Sequence, residues 1–572
     1  MATSSLSSDN IAEKKNWIRG VNLGGWLIME RYITPYQFAI TNCHLRGNLC
    51  WYQGQLSAPP SNSTDYKECD LHQCHPAYFD SIFGKGYPLD EWSLARSFHR
   101  HRDTGIRWFN YHFDNFLQRQ DLELMKNVGV THLRVPLPHW ILGNIDKGEE
   151  WISGDRWKYF LRMCQWAREL KLEVWPSLHT APGSQNGFDN SGKEEIIYTC
   201  NRWADSSYNV QRTLNILHEI TNQFVRDELM DVVTGFGILN EPYFDCHNNI
   251  YRDFLDDAYK ITRRNLGSDT NIFVSDKFAA TTFNDGTWWL NATHYANTYL
   301  DTHFYQVFDP KLRGIGPQDH IMELCQPDFP EKDINSCCYE DGPINNTIPS
   351  KGVRRISTEW SAAYDCMPGD FLPNVMEGIA THGVASNFYR TISNERKMFL
   401  RNYVMAQMIS FESKKNSLSD GWFYWTIKME GGAYGEWDFS RGIREGWIPT
   451  PLPEPHISSE EMYGTCMDVY NQTTNTTNNS DVVRVFPGSG EEYWNNYSNV
   501  QTNIHKIAKP VNYDYTMNQF IYNIQKIAFN HLTIICSTII LVGVLSQRLL
   551  RSRHNQRGRG KWKYTLISDV ET

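Results

Sequence analysis

The sequence predicts a (β/α)8 TIM barrel with long insertions in its βα loops, plus one transmembrane helix near the C-terminus. Three observations carry this reading. Eight short apolar runs read as buried strands, helical periods lie between several of them, and polar residues of one chemical kind collect where the strands end.

The predicted strands are Trp17–Leu23, Thr131–Leu137, Leu172–Leu178, Val233–Leu239, Asn271–Asp276, Leu300–Gln306, Val353–Trp360 and Gly421–Lys428. Helical periods are clearest in Trp157–Leu170, Val210–Leu229, Tyr251–Leu266 and Glu395–Glu412. Alternation of this kind closes a parallel sheet into a barrel, and residues 15–466 hold a plain barrel of ~250 residues together with its insertions. One insertion, 43–87, carries Cys43, Cys50, Cys69 and Cys74. Cys69, His72, Cys74 and His75 are spaced more tightly than a usual zinc site, so two local disulfides are the favoured reading.

The flanks differ in kind. Residues 1–14 read as a disordered N-terminus without an apolar signal segment, and the expectation is that the start given is internal to a longer chain. Residues 467–526 turn to Asn, Thr, Ser and Tyr and read as a glycosylated stalk. The stretch 527–545 is mostly apolar and about as long as the ~20 residues a helix needs to cross a bilayer. Arg548, Arg551, Arg553, Arg557, Arg559, Lys561 and Lys563 follow it, which places 546–572 in the cytoplasm and the barrel outside or in a lumen. In that tail Tyr564 to Ile567 has the loose shape of a sorting signal.

Composition narrows the function. A 572-residue chain with 41% hydrophobic residues buries a large core. Its net charge of −10, with no basic stripe in the first 500 residues, argues against nucleic acid as a partner. Aromatic residues reach 14%, with 20 Trp, which suits a surface that stacks on sugar rings, although core filling accounts for most of them singly. Of 13 Cys, setting aside Cys536 in the apolar run leaves an even 12, compatible with disulfides. Sequons at Asn62, Asn291, Asn345, Asn471, Asn475, Asn478 and Asn496 point to the same oxidising compartment.

In such a barrel the C-terminal strand ends carry the chemistry. There the sequence places Glu30, Arg134, His179, Asn240, Glu241, His303, Tyr305, Glu359 and Trp425. Two carboxylates from opposite sides of a barrel can flank a glycosidic bond, one protonating the leaving oxygen and the other attacking or activating water. Glu241 in Asn-Glu-Pro and Glu359 in Thr-Glu-Trp fill those positions, whereas most glutamates are only solvated loop acids.

The surrounding words resemble glycoside hydrolase family 5, in its fungal exo-β-1,3-glucanase branch. They are Arg19–Glu30 (RGVNLGGWLIME), Leu133–Pro136 (LRVP), Leu178–Gly192 (LHTAPGSQNGFDNSG), Leu239–Pro242 (LNEP), His303–Phe308 (HFYQVF), Glu359–Ala363 (EWSAA) and Gly421–Trp425 (GWFYW). The resemblance implies retaining double displacement without metal or organic cofactor, on a β-glucan. It implies Glu241 as acid/base, Glu359 as nucleophile, and Asn240 on the sugar 2-hydroxyl. Arg134 and Tyr305 would support Glu359; His179 and His303 would bond the sugar or the carboxylates; Trp425 would floor the first subsite. Glu30, Asp189 and Asn190 would contact glucose hydroxyls, and Phe188 with Phe308 would clamp the next glucose. It also implies a Cys325–Cys466 disulfide.

Departures remain: Thr180 stands for a usual glycine, Ile427 for a second tryptophan, and Gly431-Gly432 is inserted. The competing readings are a family 5 enzyme acting on a β-1,6-glucan, a β-1,4-glucan or a glucosylated lipid, glycosyl transfer in place of hydrolysis, and a non-catalytic glucan receptor.

Overall fold

The computed structural model describes residues 16–34, 37–38, 88, 90–100, 102–195, 199–243, 246–278, 295–308, 312, 315–325, 354–364, 392–412, 419–432 and 434–476. Eight parallel strands close in sequence order into a barrel. They are β1 (Ile18–Asn22), β2 (His132–Leu137), β3 (Glu173–Leu178), β4 (Gly235–Gly237), β5 (Asn271–Ser275), β6 (Thr298–Phe304), β7 (Arg354–Trp360) and β8 (Ser419–Tyr424). Each falls on a predicted apolar run; β6 and β8 begin two residues earlier than expected and β4 is shorter. The four predicted helices are Arg156–Leu170, Ser207–Arg226, Asn248–Leu266 and Asn394–Phe411. Ser206 and Ser393 cap two of them, accepting from the backbone N–H of Asn209 and Arg396.

Strand periodicity divides the barrel into layers. Ile18, Trp175, Phe273, Tyr299, Ile356 and Phe423 form one apolar cluster inside it. The wide rings fit because glycine stands opposite them: a Cβ at Gly20 would meet the Phe423 ring at 2.1 Å, and one at Gly237 would meet Phe273 at 2.3 Å. Two residues further along the strands the interior turns polar, with Asn22, Arg134, Ser177 and Asp301, all buried. This plug leaves only the C-terminal end for chemistry.

On the opposite end a buried ion pair fastens the chain's late segment. Glu412 accepts from Arg19 Nε at 2.7 Å and Nη2 at 2.8 Å, from Trp422 Nε1 at 2.8 Å and from the Ser459 amide at 2.7 Å. The Cys325–Cys466 disulfide is formed. Cys466 opens a helix, Cys466–Thr476, so regular structure runs ten residues into the stretch read as stalk; Thr473 on it is buried and accepts from Asn402 Nδ2 at 2.9 Å. A second disulfide, Cys200–Cys246, had no counterpart in the sequence reading. The even-number argument fails at Cys164, a free thiol buried in the helix Arg156–Leu170.

The insertion 43–87, the N-terminal 1–14, the segments 527–545 and 546–572 and five of the seven sequons lie outside the described residues. Among the described residues no helix is long and apolar enough to cross a membrane.

Replacing Glu412 by Ala leaves the Arg19 guanidinium buried without its partner, so a loss of ~3–5 kcal/mol is expected in denaturant unfolding. A change under ~1 kcal/mol would show that the pair is not what secures this end.

Candidate active site

The site is built outward from Arg134, which is fully buried on β2. Its Nη1 donates to Glu359 Oε1 at 2.6 Å and Asn22 Oδ1 at 2.8 Å, and its Nη2 to Asn240 Oδ1 at 2.6 Å. One planar fork thus fixes side chains from β1, β7 and the end of β4. Tyr305 donates from its hydroxyl to the other Glu359 oxygen at 3.0 Å. Both oxygens of Glu359 are held by donors, which suits a carboxylate that works in its ionised form.

Glu241 stands across from it, just past β4, with its backbone in the left-handed region at φ 44°. Its carboxylate is held by His303 Nδ1 at 2.6 Å from Oε1 and by Asn190 Nδ2 at 2.7 Å from Oε2. The backbone is held as well: Asn186 donates to the Glu241 carbonyl at 3.1 Å, and Gln185 to the Asn240 carbonyl at 2.8 Å. Cys200–Cys246 adds a covalent tie between the loops after β3 and β4. His303 is paired in register with Glu359 across β6 and β7, which is why one imidazole reaches both acids. Oxygens of Glu241 and Glu359 and a ring nitrogen of His303 all lie within 4.8 Å of one another.

Two carboxylates and an imidazole at that range could also hold a metal ion. Here the donors are already engaged, and Arg134 brings a full positive charge onto Glu359. Burial pulls His303 down, but the charges of Glu359 and Asp301 outweigh it and hold its proton well above the usual histidine range. A cation would meet two positive groups, so the arrangement fits proton transfer better than metal binding.

The remaining residues read from the sequence as sugar contacts divide by environment. His179 stacks on Trp425 at 5.7 Å and 6° and is kept neutral, well below its ordinary range, by burial and then by Arg134 and His303. Glu30 is buried with Oε2 accepting from Tyr32 at 2.5 Å and Oε1 without a protein partner. Burial, then Asp189 and Glu359, pushes it well above the usual carboxylate range. Asp189 is pushed up to about 7 by burial and by Glu194. Acids so placed can donate as well as accept, which suits hydroxyl recognition. Phe188 lies edge-on to Tyr243 at 6.0 Å, and Phe308 packs on Tyr305 at 5.3 Å and Trp437 at 5.8 Å; both are half-buried.

Some assignments shift. Asn190, read from the sequence as a contact to a sugar hydroxyl, gives its amide to Glu241 Oε2. Burial raises the Glu359 carboxyl above the usual glutamate value of 4.5, outweighing the charges of His303 and Arg134. Ile427 is fully buried in the main core, so that departure touches no sugar directly. The hydroxyl of Thr180 pairs with His139 Nδ1 at 2.7 Å. Sequence reasoning missed Trp437, Asn22, Asp301 and Thr358. Asn22 lay inside a matched word without a role, and Asp301 stands two residues before His303 on the inward face of its strand.

Barrel and paired glutamates together define a carboxylate-based glycoside hydrolase. No family model matches the sequence. Among curated proteins, the glucan 1,3-beta-glucosidase of Candida oleophila is 29% identical over 450 residues, 76% of this chain and 89% of that one. The glucan 1,3-beta-glucosidase I/II of Saccharomyces cerevisiae is 28% identical over 459 residues, 76% and 86%. A solved rutinosidase from Aspergillus niger overlays with a TM-score of 0.49 at 14% identity, covering 76% of this chain and 99% of that one. The chain is a relative of the glucan 1,3-beta-glucosidases across three quarters of its length.

Asn190→Ala removes a hydrogen bond to a carboxylate, about 1.5–3 kcal/mol, so kcat/KM is expected to fall roughly ten- to a hundredfold. Unchanged kcat/KM would return Asn190 to a sugar-only or idle role. In the wild type, the acid-side fall of activity is expected above pH 4.5, because Glu359 must be ionised and its carboxyl is raised.

Proposed function

We propose that the protein is a retaining, exo-acting hydrolase that releases glucose from the ends of β-1,3-glucan. The observation that carries the mechanism is the proximity of the two acids, whose facing oxygens are within 4.8 Å. Retaining enzymes set their carboxyl groups ~5–5.5 Å apart, whereas inverting enzymes leave ~6.5–9.5 Å for a water. In the first step Glu359 attacks the anomeric carbon as the glycosidic bond breaks, and Glu241 passes its proton to the departing oxygen. In the second, Glu241 takes a proton from water, whose oxygen displaces Glu359 and regenerates both side chains.

The β-1,3 linkage comes from the relatives, which are named glucan 1,3-beta-glucosidases. Glu241 as acid/base and Glu359 as nucleophile are supported by their partners. Glu359 has a cation and a phenol on its oxygens, while Glu241 faces an imidazole that can exchange a proton. Arg134, Tyr305, Asn240, His179 and His303 position these two acids. Glu30, Asp189 and Trp425 receive the terminal glucose, and Phe188 and Phe308 the glucose behind it.

The catalytic domain is placed outside a membrane, anchored by 527–545 with the basic tail in the cytoplasm. Seven sequons and two disulfides support an oxidising, glycosylating compartment.

Laminarin digestion followed by NMR of the anomeric proton is expected to show β-glucose first. Glu241→Gln and Glu359→Gln should each lose at least about a thousandfold in kcat/KM on it. Early α-glucose would overturn retention, and activity confined to another β-glucan would move the substrate. Endoglycosidase treatment of the cell-made protein should increase its mobility; no change would sink the lumenal placement.

A further inference from the structure

Asp301 is buried on β6, two residues before His303, with its Oδ2 3.4 Å from His303 Nε2. Its Oδ1 accepts the Thr358 amide at 3.0 Å and its Oδ2 accepts the Thr358 hydroxyl at 2.6 Å. That hydroxyl has one hydrogen, and Asp301, which as a carboxylate can only accept, takes it. Thr358 Oγ1 lies 3.2 Å from His303 Nε2 and therefore has only a lone pair to offer it. Nε2 must carry hydrogen. Nδ1, 2.6 Å from Glu241 Oε1, is then the nitrogen that shares a single proton with that acid.

We infer that Asp301, facing His303 Nε2 directly and through Thr358, is a positioning residue that keeps hydrogen on Nε2 and thereby keeps the transferable proton between His303 Nδ1 and Glu241. The inference rests on the reading of Glu241 as acid/base. When His303 is neutral its bare Nδ1 accepts from protonated Glu241; when it is charged, the same proton sits on the ring. Either way one proton is stored beside the leaving oxygen.

The electrostatics agree. Burial pushes Asp301 up, but His303, Arg134 and the Thr358 hydroxyl bring it below its ordinary range, so it is an anion whenever the enzyme works. The charged and titratable groups around His303 are Glu241 beyond β4, Glu359 on β7, Asp276 beyond β5, Arg134 on β2, His179 beyond β3, and Asp301 and Tyr305 on its own strand and just after it. Of these only Asp301 loses its charge in the variant below.

An Asp301→Asn amide can donate to Thr358 Oγ1, which frees the hydroxyl hydrogen to turn toward Nε2. His303 would then carry hydrogen on Nδ1 and favour ionised Glu241, the form that cannot protonate a leaving group. The basic limb of kcat/KM against pH, where the pair loses its proton, is expected to move at least about one pH unit toward acid, a tenfold weaker hold on the proton. The loss should be larger for laminaribiose, whose sugar alcohol needs protonation, than for a dinitrophenyl β-glucoside, whose phenolate does not.

An unmoved limb with an equal drop on both substrates, or no change at all, would overturn the inference. Thr358→Val removes the hydroxyl but leaves the Asp301 carboxylate 3.4 Å from Nε2, so the limb should move clearly less than in Asp301→Asn; an equal or larger shift would assign the effect to Thr358 and overturn the inference. Imidazole nitrogen NMR should find Nε2 carrying hydrogen in the wild type, whether the ring is neutral or charged, and Nε2 bare in Asp301→Asn. That readout needs no turnover, so a protein inactive on every glucan would fail the proposed function while the tautomer still answered for Asp301.

Discussion

The structure depends on one buried guanidinium. Arg134 lies in the middle of a closed barrel where water cannot reach it, and an unpaired charge there would cost several kcal/mol. It is tolerated because Glu359, Asn22 and Asn240 present oxygens to it at 2.6–2.8 Å. The same bonds set where those three side chains stand. The cation sits on one face of the aromatic plug, 5.9 Å from the Phe273 ring. Packing beneath and chemistry above are two sides of one residue's solvation.

Around that centre the two acids occupy different surroundings. Glu359 receives fixed donors on both oxygens, which favours a charge that persists. Glu241 receives an amide on one oxygen and an ionisable ring on the other, which favours a proton that comes and goes. The difference arises from loops rather than strands. Asn186, Asn190 and Gln185 come from the turn-rich word after β3, and Cys200 and Cys246 tie that region to the loop after β4.

How much of this the sequence disclosed follows from what each signal measures. Apolar runs report burial, and the barrel strands are largely buried, so seven were legible to within two residues at either end, while the eighth stops four residues before the end of its apolar run. Gly235–Gly237 is the shortest, although Val233 before it still bridges Val174 and the Ile238 amide after it still bonds the Phe273 carbonyl. Glu241, Glu359 and Arg134 were legible because strand ends concentrate chemistry. Partners that depend on side-chain direction were not. Asn190 reads equally well as a sugar contact, since an amide serves either purpose. Asp301 reads as a strand residue until its alternation with His303 is seen in three dimensions. Cysteine parity failed at Cys164 because a small apolar thiol fills a helix–barrel gap as readily as a disulfide forms. Ile427 looked like a lost sugar contact only while its burial was unknown.

The left-handed backbone of Glu241 bears on how this fold can change. A residue with a Cβ held there gives up about 1–2 kcal/mol relative to its relaxed form, and glycine or asparagine would give up less. Selection for stability alone would therefore erode the acid itself, and lineages released from carbohydrate turnover would be expected to lose it early.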